Sequence, residues 1–233
     1  RDAKLVDSIA RERRNPRFLK EIEFPAAIRP TTDLAEALAD REMVIVAVPS
    51  HAVRDVVTRA APMLSAEALV VSAVKGIEMD TGKTMDEVIS ESLPEAFAPR
   101  IVVISGPSFA REIAQHMPTV VTIACREEAY AIAVQSHLSC PWFRCYSETD
   151  VLGVEIGGAL KNVIAIAVGI SDGLGLGLNA RAATMTRGLS EITRLGVRMG
   201  ANPLTFLGLS GMGDLVLTCT GDLSRNRRVG LAL

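Results

Sequence analysis

The sequence has few of the residues that form metal sites, disulfide frameworks or basic nucleic-acid surfaces. Its 233 residues include only four cysteines and three histidines. The cysteines form no Cys-x-x-Cys pair and the histidines are scattered, so neither residue type has metal-ligand spacing. A formal net charge of −2 gives no support for binding a polyanion. We expect no metal, no nucleic-acid partner and a cytoplasmic protein with reduced, buried thiols at Cys125, Cys140, Cys145 and Cys219.

Long uninterrupted apolar segments are also scarce. The most apolar stretch, residues 151–173, is broken by Glu155, Lys161 and Asp172, so we expect no run of the roughly 20 apolar residues that a membrane span needs. We expect no signal peptide. The chain starts at an arginine and stops inside a helix-like run, residues 229–233, so we expect further segments to precede and follow it.

Apolar runs alternate with helix-like segments over the first two thirds of the chain. The runs are apolar throughout, which is typical of strands in a mostly parallel sheet with both faces covered by helices. The fold class predicted for this part is therefore α/β, a doubly wound, Rossmann-like sheet. The predicted strands are residues 43–48, 68–74, 101–105 and 119–124, and the predicted helices include residues 3–15, 33–39, 52–61 and 85–93.

The pattern changes near residues 143–149, and the remainder predicts helices without further strands. Asn179 suits the N-cap of a long helix and Gly200 suits the position that ends it. We therefore predict an N-terminally incomplete α/β domain over residues 1–147. A C-terminally incomplete all-α domain follows it over residues 148–233.

One helix-like stretch carries a charge among apolar residues. Residues 151–173 are apolar on almost every face, yet Lys161 lies inside them, and a lone buried charge is costly unless it is paired or its pKa falls. Gly157 and Gly158 lie on the same helix face, which leaves room there for a small ligand. Two interpretations stay open: a general base facing a ligand, or a lysine whose head reaches solvent beside a packed stem.

Three of the predicted strands end in small or polar residues, at positions 48–51, 73–76 and 105–110. Doubly wound sheets bind ligands outside the carboxyl ends of their strands. Glycine, proline and serine are also ordinary turn residues, and that is the alternative explanation. Lys75 is the only cation in the three segments, and three such ends in succession favour a ligand site.

The glycine-rich segment 173–177 is not a dinucleotide-binding loop. It follows a helix rather than a strand and lacks the third glycine at the required spacing, so we predict a turn between two helices. No other segment supplies a Gly-x-Gly-x-x-Gly fingerprint.

The segment 224–228 is rich in hydrogen-bond donors. Ser224, Arg225 and Asn226 with two further arginines suit a phosphate group. A solvated basic helix face is the alternative, and it is the preferred interpretation of Arg227 and Arg228 taken alone.

Several of these motifs resemble a known family. Residues 157–165 (Gly-Gly-Ala-Leu-Lys-Asn-Val-Ile-Ala) are similar to the catalytic-domain signature of bacterial-type NAD(P)-dependent glycerol-3-phosphate dehydrogenases. The family's N-terminal strand and glycine-rich loop, and most of its helices after Arg228, are not in this sequence. The supporting blocks occur in the family's order across the chain, at residues 73–76, 104–110, 179–181, 213–220 and 224–228.

The resemblance implies reversible hydride transfer between sn-glycerol 3-phosphate and NAD or NADP, giving dihydroxyacetone phosphate, in a cytoplasmic homodimer that supplies glycerophospholipid synthesis. Lys161 is implied as the proton acceptor, with Lys75 and Asp214 as further catalytic residues. The implied substrate-binding residues are Lys75, Gly106, Ser108, Lys161, Asp214, Ser224, Arg225 and Asn226. The implied cofactor-binding residues are Arg1, Lys75, Ala110 and Arg225.

The expected chemistry agrees with these roles. Removing a hydride from C2 requires the hydroxyl proton to leave as well, so a base must touch that oxygen. A free lysine, with a pKa of about 10.4, is a poor base near pH 7. Burial and a second cation at Lys75 would lower the pKa of Lys161, whereas Asp214 would oppose that change. Two alternatives remain: a two-domain dehydrogenase for another hydroxy acid or sugar acid, and a non-catalytic binding module.

Overall fold

The structure is a computed structural model, and it describes residues 2–233. Arg1, which the resemblance implies as a cofactor residue, lies outside the described residues.

A single five-stranded sheet organises the first part of the chain. The strands follow the order β1-β2-β3-β4-β5, and every neighbouring pair is parallel except β3 and β4, which are antiparallel. The predicted mostly parallel α/β architecture is therefore confirmed. The strands are Met43–Val46 (β1), Leu69–Ser72 (β2), Ile101–Ser105 (β3), Thr119–Ala124 (β4) and Phe143–Glu148 (β5).

The predicted bounds of two strands are wrong, and one strand was not predicted. The first two strands are shorter than their apolar runs because Val48 and Val74 still pack into the core after the backbone has left the ladder. The fifth strand was not predicted. It lies at an edge of the sheet and pairs with β4, so its exposed Arg144 and Tyr146 break the apolar run that marks the central strands.

Helices flank the sheet and form the rest of the chain. They are Ala3–Glu12 (α1), Leu34–Leu38 (α2), Val53–Ala60 (α3), Met85–Ser92 (α4), Ala110–Ala114 (α5), Glu128–Leu138 (α6), Val151–Gly173 (α7), Gly177–Met199 (α8), Asp214–Thr220 (α9) and Arg225–Ala232 (α10). Short 3₁₀ turns occur at Ser50–Ala52, Ala61–Met63, Glu95–Arg100 and Pro203–Leu207, and one π-helical turn spans Leu209–Gly213.

Both faces of the sheet carry a hydrophobic core. Val70 on β2 packs into the cluster that includes Met85 and Ile89 of α4, and its neighbour Val71 packs into the cluster that includes Ala131 of α6. Successive side chains of a strand point to opposite faces, so a strand buried on both sides is apolar at every position. This explains why the central strands were recognisable from their sequence.

The connection between α7 and α8 is the predicted inter-helix turn, formed with positive φ angles at Gly175 and Gly177. Because α8 begins at Gly177, Asn179 lies inside its first turn, and the prediction of Asn179 as an N-cap is wrong. Gly200 ends α8 in the left-handed conformation with φ 104°, as predicted.

Helix α7 is the centre of the helical part. It runs unbroken for 23 residues, and by length and composition alone it could cross a membrane, so the expectation that no apolar run is long enough is wrong. The charged residues Glu155 and Lys161 do not interrupt it because both are buried against other parts of the protein. More than half of its most apolar window is buried, and it packs against α8, α9 and α10, as a core helix does.

Candidate active site

A cavity of about 340 Å³ opens where β1 and β2 end. One wall consists of the residues that follow these strands, and the opposite wall comes from α7 and α10. The cavity therefore lies between the sheet and the helical part, at the edge of the sheet where the strand ends predicted a ligand site. Its lining residues are Ala47, Val48, Pro49, Ser50, Ala73, Val74, Lys75, Lys161, Asn162, Arg225 and Asn226.

The third strand end contributes to the same edge through its backbone. Lys75 Nζ donates to the carbonyl oxygen of Gly106 at 3.0 Å, and Ser108 Oγ donates to the same oxygen at 2.9 Å. Gly106 has φ 132°, and a Cβ atom there would lie 3.1 Å from Val121 Cα, so a side chain is disfavoured by both conformation and space. The three strand ends thus meet, and Lys75 connects two of them.

Two lysines and one aspartate form an ion cluster beside the cavity. Lys161 is only 6% exposed, and its Nζ contacts Asp214 Oδ1. Lys75 Nζ lies 2.7 Å from Asp214 Oδ2, so the buried carboxylate of Asp214 bridges both ammonium groups. Of the two interpretations of Lys161, the one with its head in solvent is wrong. The lysine is buried, paired and on the cavity wall.

The surroundings of Lys161 make its amine a usable base. Burial disfavours the ammonium form, and the positive charge of Lys75 disfavours it further. Asp214 opposes both effects, and the pKa of Lys161 falls to about 8. Such a group has about a tenth of its population in the neutral, proton-accepting form at pH 7.

Helix α7 has no side chains at Gly157 and Gly158, and protein atoms occupy the space this leaves. A Cβ atom at Gly157 would lie 2.8 Å from the carbonyl oxygen of Ser210, in the π-helical turn that leads into Asp214. A Cβ atom at Gly158 would lie 2.8 Å from Ser105 Oγ. The expectation that these glycines leave room for a ligand is therefore wrong. They allow the turn before Asp214 and the end of β3 to approach the helix closely.

A hydrogen bond at the cavity wall joins helix α10 to α7. Asn226 Nδ2 donates to Asn162 Oδ1 at 2.6 Å, next to Lys161. Sequence reasoning assigned no role to Asn162, although it neighbours the lysine and lines the cavity. The sequence feature that could have identified Asn162 is its position next to Lys161 within residues 157–165, the block that resembles the family signature.

The three arginines of α10 differ in their environments. Arg227 is mostly buried and pairs with Asp172 of α7 at 2.8 Å, so the interpretation of Arg227 as part of a solvated face is wrong. Arg228 is exposed, as expected for a residue on a solvated helix face. Arg225 is exposed on the cavity wall and forms no ion pair within residues 2–233. Arg227 therefore anchors the helix, and Arg225 remains available to a bound anion.

The other predicted site residues lie around the cavity without lining it. Ser224 is buried as the N-cap of α10, where its Oγ accepts from the Arg227 N–H at 3.2 Å. Ala110 is exposed at the start of α5, and Ser108 is half-buried.

The residues that could bind a metal are not grouped. Within residues 2–233, no cluster of three or more His, Cys, Asp or Glu side chains could hold a metal ion. The four cysteines are free, and three are buried, whereas Cys140 is half-buried because it lies in the loop before β5.

Both parts of the chain match one enzyme family. Residues 1–131 match the family described as NAD-dependent glycerol-3-phosphate dehydrogenase N-terminus, and residues 150–233 match its C-terminus. The chain belongs to the NAD-dependent glycerol-3-phosphate dehydrogenase family. The resemblance drawn from the sequence motifs is thereby confirmed.

Curated relatives in the glycerol-3-phosphate dehydrogenase family match the chain from end to end. The Myxococcus xanthus protein is 56% identical over 100% of this chain and 70% of its own length. The Geobacter metallireducens protein is 54% identical over 100% of this chain and 69% of its own length. Both are named glycerol-3-phosphate dehydrogenase [NAD(P)+]. The chain thus spans about 70% of the length of these relatives.

A solved glycerol-3-phosphate dehydrogenase has the same fold. The crystal structure of the enzyme from Coxiella burnetii aligns with a TM-score of 0.92 and 40% identity, covering 99% of this chain and 70% of that one. The Plasmodium falciparum glycerol-3-phosphate dehydrogenase aligns with a TM-score of 0.89 at 26% identity, covering 98% of this chain and 64% of that one. The Rossmann-like sheet followed by helices is therefore a shared family architecture.

Proposed function

We propose that this chain carries the site for reversible reduction of dihydroxyacetone phosphate to sn-glycerol 3-phosphate with NADH or NADPH. The observation that carries the proposal is the buried Lys161 amine, which faces the cavity and is paired through Asp214 to Lys75. The names of the relatives supply glycerol 3-phosphate as the substrate and NAD(P)+ as the cofactor class, and dihydroxyacetone phosphate is the ketone that oxidation of this alcohol at C2 gives.

The cavity fits the reactive end of the cofactor together with a small substrate. It lies at the carboxyl ends of β1 and β2, where doubly wound sheets bind nucleotides. Lys75 and Arg225 provide positive charge at opposite walls, which suits a phosphate-bearing substrate. When bound, the nicotinamide supplies the hydride acceptor or donor, and the residues of the chain manage the proton and the orientation.

The proton moves at Lys161 Nζ. In the oxidation direction the neutral amine accepts the proton of the substrate O–H bond, and a bound nicotinamide would accept the hydride of the C2–H bond, so the alcohol would become a ketone. Asp214 stabilises the resulting ammonium because its carboxylate is already in contact with it. In the reduction direction the ammonium donates the same proton to the carbonyl oxygen.

Arg225 and Asn226 would bind the substrate phosphate. The Arg225 guanidinium can donate two parallel hydrogen bonds to phosphate oxygens, and Asn226 is held beside it by Asn162. Lys75 contributes through charge, since its Nζ is already bound to Asp214 and Gly106.

The pH dependence should be opposite in the two directions. The neutral form of Lys161 accepts the proton, so the rate of glycerol 3-phosphate oxidation in the intact protein should rise with pH and level off above the pKa of about 8. The ammonium form donates the proton, so the rate of dihydroxyacetone phosphate reduction should fall over the same range. Measuring kcat/KM from pH 6 to 10 in both directions checks this, and two profiles of the same sign would contradict the role of Lys161.

Arg225→Ala should mainly weaken substrate binding. Losing hydrogen bonds to a charged group costs about 1.5–3 kcal/mol, so we expect the KM for glycerol 3-phosphate to rise about 10- to 100-fold, with a smaller change in kcat. Arg228→Ala is the matched control because it removes the same charge from an exposed position of α10. An unchanged KM in the Arg225 variant would rule out the phosphate assignment.

A substrate panel separates this function from that of a dehydrogenase for another hydroxy acid or sugar acid. We expect activity with glycerol 3-phosphate and none with non-phosphorylated hydroxy acids of similar size.

The same proposal has four further parts. They are the division into domains at residues 1–147 and 148–233, the homodimer, the cytoplasmic location and the supply of glycerophospholipid synthesis. Sedimentation of the intact protein tests the dimer.

A further inference from the structure

Helix α7 also carries a buried acid, Glu155, between one and two turns before Lys161. Glu155 is 6% exposed, and its Oε1 accepts from the backbone N–H of Asp86 at 3.0 Å. Asp86 lies in the first turn of α4, where backbone amides have no partner inside the helix. Glu155 belongs to the helical part of the chain and thus caps α4, a helix that packs on the sheet.

The charges around Glu155 do not balance if both acids are ionised. Asp86 is 2% exposed, accepts from Thr84 Oγ1 at 2.7 Å and pairs with Arg126, whose side chain is 56% exposed. Glu155 forms no ion pair within residues 2–233, and its buried Oε2 accepts no hydrogen bond, which an ionised carboxylate oxygen would need. Two buried carboxyl groups therefore share a single, half-solvated cation, and an unpaired buried carboxylate is costly.

The proton belongs on Glu155 rather than on Asp86. Burial works to raise the pKa of Asp86, but hydrogen bonds from Glu155 and Thr84 and the charge of Arg126 outweigh it, so the pKa of Asp86 is lowered. For Glu155, burial and the neighbouring Asp86 carboxylate act in the same direction and raise the pKa to about 10. The groups that face Glu155 are Asp86 and Thr84 from the α4 side, with Arg126 behind Asp86.

We propose that Glu155 is a neutral carboxylic acid whose Oε2–H donates to the Asp86 carboxylate, forming a proton-sharing clasp between α7 and α4. The clasp makes Glu155 a positioning residue for Lys161, which lies later in the same helix. Residues 76–84 connect Lys75 to α4, so fixing α7 against α4 also fixes the two lysines relative to each other. The kinetic consequence rests on the proposed function, and the protonation state does not.

Infrared spectroscopy of the intact protein tests the protonation state without any activity measurement. At pH 8 we expect the carbonyl stretch of a protonated carboxylic acid, which Glu155→Gln removes and Asp86→Asn shifts in frequency. Glu95→Gln is the control because Glu95 is exposed and forms no ion pair within residues 2–233, and it should leave the band unchanged. Absence of the band, or its survival in Glu155→Gln, would overturn the proposal. An unshifted band in Asp86→Asn would show that the proton is not donated to Asp86.

Kinetics of two Glu155 variants test the positioning role. The glutamine amide can accept from the Asp86 N–H and donate to the Asp86 carboxylate, so Glu155→Gln should keep kcat near its original value. Glu155→Leu removes both contacts, and we expect kcat to fall about 10- to 100-fold, since small displacements of a catalytic group cost this much. Equal losses in the two variants, with both proteins folded by circular dichroism, would reject the clasp. If the infrared result holds and neither variant loses activity, the acid is protonated but does not position Lys161.

Discussion

Lys161→Met in the intact protein should lower kcat about 10²–10⁴-fold, the range that loss of a general acid–base group produces. Methionine keeps the apolar stem inside the buried helix, and Asp214 retains its ion pair with Lys75 at 2.7 Å. Lys75 and Asp214 then balance each other's charge, and the loss should appear in kcat because the missing group acts in the transition state. Steady-state assays in both directions at pH 8 measure it.

A lysine outside the site provides the comparison for this experiment. Lys20 is exposed in the N-terminal segment, and Lys20→Met should leave both kcat and KM unchanged. The pH dependence around 8 should also disappear in Lys161→Met, because the titrating amine is gone. A Lys161 variant with near-normal kcat would refute the assignment of the base.

Gly230→Ala should destabilise the protein, although alanine normally favours a helix over glycine by about 1 kcal/mol. Helices α7 and α10 cross at Gly169 and Gly230, and a Cβ atom at Gly230 would lie 2.1 Å from the carbonyl oxygen of Ile166. Backbone atoms cannot rotate away as a side chain can, so the helices must separate. Overpacking typically costs about 1–3 kcal/mol, and we expect a lower melting temperature.

The same substitution should reach the active site through α10. That helix carries Arg225 and Asn226, so its displacement should raise the KM for glycerol 3-phosphate as well as lowering the melting temperature. Gly213→Ala is the stability control, since a Cβ atom there would meet its nearest neighbours at an ordinary 3.7 Å. A Gly230 variant that melts at a higher temperature than the original protein would show that the crossing is loose.

The fold was largely predictable because burial dictates composition in central strands. β2 and β3 lie inside the sheet with cores on both faces, so they are apolar runs bounded by turn residues. The edge strand β5 pairs with one neighbour and exposes alternate side chains, so its sequence lacks this signature. The antiparallel pairing of β3 with β4 was equally hidden, because apolar content does not encode strand direction.

Several residues of the cavity wall were named from the sequence, but their contacts were not predictable; the named residues are Lys75, Lys161, Arg225 and Asn226. A lysine inside an apolar helix required either a partner or a lowered pKa, and the structure provides both. The partners of Gly157 and Gly158 could not be foreseen, because a missing side chain looks the same whether a ligand or another backbone fills the space. Glu155 was overlooked for a similar reason, since its partner Asp86 lies on a helix 69 residues earlier.

The Lys75–Asp214 ion pair joins residues 139 positions apart, and this separation has a consequence for engineering. The basicity of the amine on α7 depends on a cation delivered by the other half of the molecule. Chimeras that combine the amino-terminal half of one family member with the carboxyl-terminal half of another should therefore have a shifted pH optimum even when every active-site side chain is kept. The pH optimum of such a chimera therefore depends on the distance at which its two halves hold Lys75 from the amine of Lys161.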